Sequence, residues 1–214
     1  MSDKFIRITG AAAPLLQANI DTDTIAPAIR KSQVGQKLEF NERDADDLAK
    51  NLFADWRYDD KDNELPDFIL NKPGFRATKI ILVGDNFACG SSRESANWML
   101  ADFGIRVIIA PSYGEIFYNN CFKNAILPVI LDADTISALA RESGDGAPDA
   151  LFSVDLEAMT IASPGGKLID FNLPEYRRQG LLSGLDEISV TLARRDDIAA
   201  FHSAAKSKRP WVYF

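Results

Sequence analysis

The chain has 214 residues, a formal net charge of -7 and 46% hydrophobic residues. This composition is typical of a globular protein with one large domain, and the negative charge argues against a nucleic-acid-binding surface. No apolar run is long enough to span a membrane, and the first residues lack the apolar core of a signal peptide. We therefore expect a cytoplasmic protein with no membrane partner.

The cysteines and the histidine are too few for the common metal and hydrolase sites. Cys89 and Cys121 lie far apart and neither belongs to a C-x-x-C pair, so we predict that this chain alone holds neither zinc nor an iron–sulfur cluster. A Ser-His-Asp hydrolase would need His202, the single histidine, as its base, and His202 lies in a polar C-terminal segment. We expect no cofactor bound by this chain itself.

The N-terminal part begins with a strand and then becomes irregular. Alternation of apolar and polar residues predicts a strand over Phe5–Ile8, and the small residues of Ala11–Leu16 indicate a connection. Residues 19–27 are rich in aspartate and threonine, which are typical of Asx and ST turns. Residues 28–66 are the least regular, and we expect a variable region of loops there with a surface helix over Asn41–Phe53.

The stretch around which the chain is organised is Lys79–Gly104. It opens with an apolar run at Ile80–Val83, continues through a polar turn at Gly84–Gly90, and ends in a helix-like segment over Ser92–Phe103. Strand, tight loop and helix form the geometry in which a parallel sheet presents a site at its carboxyl edge. The sequence therefore predicts a functional site at this turn.

Ser91, Ser92 and Arg93 follow the turn directly. Two hydroxyls and a guanidinium suit a small carboxylate ligand, because guanidinium binds carboxylate through two parallel hydrogen bonds. The same residues have a purely structural interpretation, since Ser91 followed three residues later by Glu94 is a capping box. An arginine in the first turn of a helix opposes the helix dipole, which favours a role for Arg93 beyond helix stability.

The second half of the chain alternates strands and helices and then forms shorter strands. A β-α-β-α-β-α order predicts parallel strands joined by right-handed crossovers, and short runs near a Gly-Gly turn predict antiparallel strands. The predicted strands are Ile105–Ala110, Ile126–Leu131, Leu151–Leu156, Met159–Ala162, Lys167–Phe171 and Ile188–Leu192, and the predicted helices are Ser112–Lys123 (with Ser112 as its cap), Asp134–Glu142, Glu175–Gly180 and Asp196–Ala205. We expect a single domain over 1–214, with 196–214 as a C-terminal tail.

Three motifs, in this order along the chain, resemble the small-subunit family of 3-isopropylmalate dehydratase in the aconitase superfamily. They are Asn19–Ile25 (NIDTDTI), Gly84–Glu94 (GDNFACGSSRE) and Phe117–Asn124 (FYNNCFKN). The resemblance implies an α/β fold, a three-layer β/β/α swivelling domain with a central parallel sheet and a smaller antiparallel sheet. It implies a hydro-lyase of leucine biosynthesis that isomerises 2-isopropylmalate and 3-isopropylmalate. It also implies a partner, a large subunit carrying a four-iron four-sulfur cluster, in a heterodimer or heterotetramer.

The resemblance assigns roles to four residues, and the position of Arg30 in the chain suggests a role for a fifth. Ser91 matches the serine that acts as general base on the substrate carbon, and Arg93 matches the arginine that binds a substrate carboxylate. Ser92 matches a neighbouring hydrogen-bonding serine, and Asp23 matches an aspartate that faces the same pocket. Arg30 lies in the segment that helps to read the variable side chain of the substrate. A serine hydroxyl is a poor base, so we expect backbone N–H groups at the helix start to stabilise the Ser91 alkoxide.

Departures from the family pattern leave other interpretations open. The motif continues as Glu94-Ser95 where the family usually has Glu-His, and the segment 28–32 is unusual. A related hydro-lyase acting on homoaconitate or a methyl-substituted malate is therefore an alternative. A phosphate- or nucleotide-binding module is another, although Gly84–Gly90 fits neither the G-x-G-x-x-G nor the Walker pattern. A third is a non-catalytic partner of the large subunit, which the presence of the serine and arginine argues against.

Overall fold

The computed structural model describes residues 4–28, 48–185 and 187–213. The strands are β1 (Arg7–Gly10), β2 (Ala12–Leu15), β3 (Ile80–Val83), β4 (Val107–Ala110), β5 (Leu127–Ile130), β6 (Phe152–Asp155), β7 (Thr160–Ala162) and β8 (Leu168–Asp170). The α-helices are α1 (Thr22–Ile25), α2 (Leu48–Asn51), α3 (Ala54–Arg57), α4 (Ser95–Phe103), α5 (Glu115–Lys123), α6 (Ala133–Glu142), α7 (Glu175–Ser183), α8 (Glu187–Leu192) and α9 (Arg195–Lys208). Single 3-10 turns occupy Ile69–Asn71, Pro73–Phe75, Gly144–Gly146 and Pro210–Val212.

A parallel sheet with the order β2-β3-β4-β5 forms the centre of the fold. Strands β3, β4 and β5 and the helices between them confirm the predicted β-α-β-α-β-α run. The expectation of a connection over Ala11–Leu16 is wrong, because Ala12–Leu15 pairs in parallel with β3. Pro14 is compatible with this pairing since β2 is an edge strand, where one side of the backbone needs no partner.

A second, antiparallel sheet has the order β1-β6-β7-β8. The predicted strand at Phe5–Ile8 appears two residues later as β1, and the three short strands after Ala150 are all present. The two sheets are separate, and the chain passes from one to the other at Ala11, between β1 and β2.

The side chains of the parallel sheet alternate between two apolar layers. Ile80 and Leu82 of β3 pack toward the antiparallel sheet and α6, whereas Ile81 and Val83 pack toward the layer that contains α4 and α5. All four are at most 1% exposed, so both faces of the sheet are covered, as is usual for parallel strands. The result is a three-layer β/β/α arrangement, which confirms the predicted fold class.

Two predicted elements differ from the structure. Residues 188–192 form part of the helix α8 and not a strand; the i, i+2 spacing of Ile188, Val190 and Leu192 suits a strand, but a strand needs a neighbour to complete its hydrogen bonds while a helix completes them internally. Helix α4 begins at Ser95 and not at Ser92. The N-terminus of this helix bears directly on the candidate site.

Within the region 28–66, the described residues form the short helices α2 and α3. Residues 29–47, which include Arg30, lie outside the described residues. Helix α9 occupies much of the expected tail at 196–214. The division into one domain with a variable region and a tail stays a prediction. None of the helices in the described ranges is both long and apolar enough to cross a membrane.

Candidate active site

Three loops meet at the carboxyl edge of the parallel sheet, where the sequence predicts a site. The loop after β3 (residues 84–94) lies between α1, which follows β2, and the loop after β4. Single bridges join it to both neighbours, from Cys89 to Asp21 on one side and from Phe87 to Tyr113 on the other. The Phe87 amide also donates to the Ser112 carbonyl at 3.1 Å, and the Gly114 amide to the Phe87 carbonyl at 2.8 Å. This loop is therefore held on both sides by backbone contacts.

Glycines permit the close path of the loop. A Cβ atom at position 114 would lie 2.4 Å from the Ala88 carbonyl oxygen, a distance that no side chain tolerates. Gly90 has a φ of 97°, and the non-glycine residues Asn86 and Ala88 have φ values of 55° and 57°. Three positive φ values in five residues are unusual, and such backbone persists only where surrounding contacts enforce it.

Helix α1 begins at an aspartate cap. The Thr24 N–H donates to Asp21 Oδ1 at 2.7 Å, and hydrogen bonds from the side chain and backbone of Thr24 lower the pKa of Asp21. The turn predicted over residues 19–27 is thus a capped single-turn helix. It turns Thr22 into the interior, where it is 1% exposed, and leaves Asp23 exposed.

Ser91 contacts Thr22 through two hydrogen bonds. Its Oγ lies 2.7 Å from Thr22 Oγ1, and its N–H donates to the same oxygen at 3.3 Å. The Thr22 N–H in turn donates to the carbonyl of Cys89 at 3.0 Å. Sequence reasoning missed Thr22; the only signal was its place between two aspartates in the Asp-Thr-Asp-Thr string.

The capping-box interpretation of Ser91 and Glu94 is wrong. The N-cap residue of α4 is Glu94, and no side chain caps this helix. Arg93 accordingly precedes the helix instead of lying in its first turn. Helix α4 starts four residues after Ser91. The Ser91 hydroxyl contacts Thr22 and not the start of this helix.

Ser112 is not a helix cap either. Helix α5 begins after Gly114, again without a side-chain cap. The Ser112 hydroxyl instead donates to Asp85 Oδ1 and accepts the N–H of Asn86 at 2.9 Å. It therefore ties the start of the 84–94 loop to the loop after β4, which a local Ser-x-x-Glu pattern does not reveal.

Arg93 forms an ion pair with Asp23 of α1, through Nη1 and Oδ1. The two side chains are 43% and 60% exposed, so the pair faces solvent beside the partly buried Thr22–Ser91 contact. The structure thus brings together Ser91, Arg93 and Asp23, as the sequence analysis expected. Ser92 is exposed, and its side chain forms no hydrogen bond with the described residues.

A shallow cavity of about 300 Å³ opens between the 84–94 loop and the start of α5. Its volume lies at the lower end of the range for small-molecule sites. The lining combines polar side chains such as Ser91 with apolar ones such as Ile116, which is 51% exposed. The residues lining it are Asn86, Ala88, Cys89, Gly90, Ser91 and 114–117.

Comparisons with known proteins identify the family. A family profile described as the aconitase C-terminal domain matches residues 2–134. The 3-isopropylmalate dehydratase small subunit of Jannaschia sp. is 48% identical over 210 residues, which cover 98% of this chain and all of the relative. That of Parvibaculum lavamentivorans is 46% identical with the same coverage. The chain belongs to the 3-isopropylmalate dehydratase small-subunit family.

A solved structure supports the fold. The 3-isopropylmalate dehydratase of Methanocaldococcus jannaschii superposes with a TM-score of 0.59 over 92% of this chain and 99% of the other, at 23% sequence identity. At that identity the likeness concerns the fold alone, and it agrees with the three-layer arrangement described above. The predicted family resemblance is confirmed, whereas the roles of individual residues stay predictions.

The cysteines of this family member do not form a metal site with other donors in the described part of the chain. No group of three or more histidine, cysteine, aspartate or glutamate side chains converges there. Cys121 is buried, and burial raises the pKa of its thiol well above the usual value, which favours the protonated thiol. Its sulfur lies 3.3 Å from Asn97 Nδ2 in the core. Cys89 is half-buried on the cavity wall.

Proposed function

We propose that the chain is the small subunit of a heteromeric hydro-lyase that isomerises 2-isopropylmalate and 3-isopropylmalate by dehydration and rehydration. This reaction belongs to leucine biosynthesis. The observation that carries the proposal is the placement of a serine hydroxyl on a cavity wall, two residues from a guanidinium, at the carboxyl edge of a parallel sheet. Near-full-length identity to small subunits of this dehydratase supports it.

In this proposal Ser91 accepts the proton from the substrate carbon and returns a proton in the reverse direction. A serine hydroxyl is a weak base in water, so a base role requires hydrogen-bond donors aimed at its oxygen. The oxygen of Ser91 is half-buried and is already contacted by a buried hydroxyl. Ser91 also lines the cavity, where the substrate carbon would lie in this proposal.

Arg93 binds a substrate carboxylate in this proposal. Its guanidinium can offer two parallel N–H groups to a carboxylate, and its pairing with the Asp23 carboxylate supports this role. A substrate carboxylate at this point would lie near Ser91, because only one residue separates the two. Ser92 and Arg30 are proposed as further substrate contacts, Ser92 from the exposed loop and Arg30 from the segment after α1.

The partner in the proposal is a large subunit that carries a four-iron four-sulfur cluster. When bound, the cluster would supply a Lewis acid for the hydroxyl group that leaves and returns. The residues of this chain would bind the substrate carboxylate and move the proton at Ser91. We propose a cytoplasmic heterodimer or heterotetramer.

Reconstitution tests the proposal. The chain is mixed with the large subunit from the same source, and conversion between the two isomers is followed with a panel of other 2-hydroxy dicarboxylates and tricarboxylates. We expect turnover of isopropylmalate by the pair, and neither turnover nor visible-region iron–sulfur absorbance from this chain alone. A brown, active preparation of the chain by itself, or preferred turnover of homoaconitate or a methyl-substituted malate, would contradict it.

The nucleotide-binding alternative is tested separately. Isothermal titration calorimetry with ATP and with inorganic phosphate, on the full chain, should detect no binding at millimolar ligand. Saturable binding of either ligand at the 84–94 loop would favour a phosphate-binding module.

A further inference from the structure

The hydroxyl of Thr22 makes both of its hydrogen bonds within the described residues to Ser91. It lies 2.7 Å from Ser91 Oγ and accepts the Ser91 N–H at 3.3 Å. Thr22 is 1% exposed, so water does not compete freely for these contacts. A buried hydroxyl that serves one neighbouring residue in this way is placed to control the position of that residue's side chain.

Either hydroxyl can donate while Ser91 is protonated, and the direction of their hydrogen bond becomes fixed once Ser91 loses its proton. A hydroxyl has one hydrogen to donate and two lone pairs to accept with. One lone pair of Thr22 Oγ1 takes the Ser91 N–H, and the Ser91 oxygen, once deprotonated, can only accept. The Thr22 hydrogen must then point to Ser91 Oγ. Hydrogen bonds to an ionised acceptor are shorter and stronger than neutral ones, so this contact strengthens as Ser91 loses its proton.

Thr22 is held in place by the rest of α1. The Asp21 carboxylate caps the helix at the Thr24 N–H, and the Thr22 carbonyl accepts the Ala26 N–H at 2.9 Å. The adjacent Ile25 is fully buried in the core. The hydroxyl therefore belongs to a fixed element, and Ser91 belongs to a loop whose path depends on its contacts.

We infer that Thr22 is a positioning residue for the serine base: it fixes the Ser91 side chain and donates the hydrogen bond that stabilises negative charge on the Ser91 oxygen. The inference rests on the proposed function for the statement that Ser91 acts as a base. The coupling between the two side chains can be measured without any catalytic activity, which separates the two ideas.

The first experiment measures the acidity of a thiol placed at the position of the serine oxygen. Ser91→Cys is made in a Cys89→Ala background of the full chain, and the rate of alkylation by iodoacetamide is measured against pH. Cys121 does not interfere, because it is buried and its pKa is raised. Adding Thr22→Val removes the hydroxyl with little change of shape. We expect the pKa of the introduced thiol to rise by about one unit, as a lost hydrogen bond to the charged form requires.

Two further variants make the result specific. Thr22→Ser keeps the hydroxyl and should keep the low thiol pKa. Thr78→Val is the matched control, because Thr78 is also 1% exposed and its hydroxyl oxygen lies 2.6 Å and 2.9 Å from the Ala11 and Ile80 carbonyl oxygens, at the amino end of β3. It should lower the melting temperature and leave the thiol pKa unchanged. The charged groups at the site, which are the same in all these variants, are Asp21, Asp23, Arg93, Glu94 and Glu115.

The second experiment uses the reconstituted enzyme. Thr22→Val should lower kcat by roughly 10-fold with KM within about twofold, since the contact acts on the base and not on substrate binding. The pH at which kcat reaches half its maximum on the acid side should move upward, and Thr22→Ser should restore it. Should Thr22→Val fail to fold, Thr22→Ala, which also lacks the hydroxyl, takes its place in both experiments.

The outcomes separate the inference from the proposed function. A thiol pKa that is the same with and without the Thr22 hydroxyl, in a chain that melts normally, would overturn the inference even if Ser91→Ala is inactive. The expected rise in thiol pKa together with an active Ser91→Ala enzyme would leave the coupling established and remove Ser91 as the base.

Discussion

Two neighbouring contacts join the 84–94 loop to helix α1, and they differ in burial, in charge and in how easily the partner can be replaced. Thr22 and Ser91 meet through neutral hydroxyls, one of them buried. Asp23 and Arg93 meet through opposite charges, both substantially exposed. The first contact has a fixed partner in the interior, whereas the second can exchange Asp23 for another carboxylate at little cost, because exposed ion pairs contribute at most about 1 kcal/mol. The serine proposed for proton transfer thus has a fixed partner, whereas the arginine proposed for substrate binding has a partner that can be replaced.

Ser91→Ala should give the largest effect. As the general base its loss should lower kcat by roughly 10²–10⁴-fold in the reconstituted enzyme. The loss of one hydrogen bond should lower the free energy of unfolding by only about 1 kcal/mol. Steady-state kinetics and thermal melts measure the two.

The matched control is Ser153→Ala in the antiparallel sheet, where Ser153 Oγ accepts from the Thr9 hydroxyl at 3.3 Å. It should alter stability without altering kcat. Turnover by Ser91→Ala within about threefold of wild type, far below the usual effect of losing a general base, would remove the distinction between the two contacts.

Arg93→Lys should give the next largest effect. Lysine keeps the charge and loses the two-pronged geometry. We expect KM to rise roughly 10-fold, which corresponds to about 1.4 kcal/mol, with a smaller fall in kcat. Arg76→Lys, in the exposed pair with Glu64, is the control and should leave KM unchanged. An unaltered KM in Arg93→Lys would mean that substrate does not bind at this guanidinium.

Asp21→Ala tests the element that holds the fixed contact. Loss of a helix cap typically costs about 1 kcal/mol. Because the folded-state pKa of Asp21 is below its ordinary value of 3.8, its contribution is complete above that pH and is lost as pH falls through the lower folded value. The melting-temperature difference from wild type should therefore be full at pH 7 and shrink below about pH 4.

Asp132→Ala is the control for this prediction, because Asp132 caps α6 at 2.8 Å from the Thr135 amide and has a lowered pKa of the same cause. Both variants should lose stability, but only Asp21→Ala should lower kcat. Equal kinetics in the two would show that α1 does not position the base.

Asp23→Asn should give the smallest effect. It removes the exchangeable partner of Arg93 and leaves Thr22 and Ser91 in contact. We expect KM to change by less than about fivefold, the equivalent of an exposed ion pair, and kcat to stay unchanged. Glu64→Gln, which removes the charge from another exposed ion pair, serves as the control for salt-dependent changes. A large loss of kcat in Asp23→Asn would show that the two contacts are not independent.

The parts of the fold that could be predicted are those that local patterns determine. Ile80–Val83 and Val107–Ala110 are continuous apolar runs, which in an alternating α/β order indicate buried parallel strands. Strand β2 could not be predicted, because Ala12, Ala13 and Pro14 have low strand propensity and become a strand only through pairing with β3.

The site shows the same limit. Ser91 and Glu94 satisfy a local capping pattern, but the hydroxyl of Ser91 bonds to Thr22, 69 residues earlier in the chain. The capping-box rule considers only four consecutive residues and cannot predict a hydrogen-bond partner so distant in sequence. The family resemblance predicted that Ser91, Arg93 and Asp23 share one site, but it did not reveal that the buried Thr22 is the hydrogen-bond partner of Ser91.

The close approach at Gly114 bears on how the sequence of this protein can vary. A methyl group there would meet the Ala88 carbonyl oxygen at 2.4 Å, whereas one at Gly180, in helix α7, would meet nothing within 4 Å. In a library of random substitutions, position 180 should therefore accept alanine and position 114 should reject every replacement. A replacement at Gly114 would be rejected because it displaces the 84–94 loop and moves the site residues apart. Gly114 itself carries no functional group. We therefore expect Gly114 to be inherited unchanged and to constrain the sequence as strictly as the serine of the neighbouring loop.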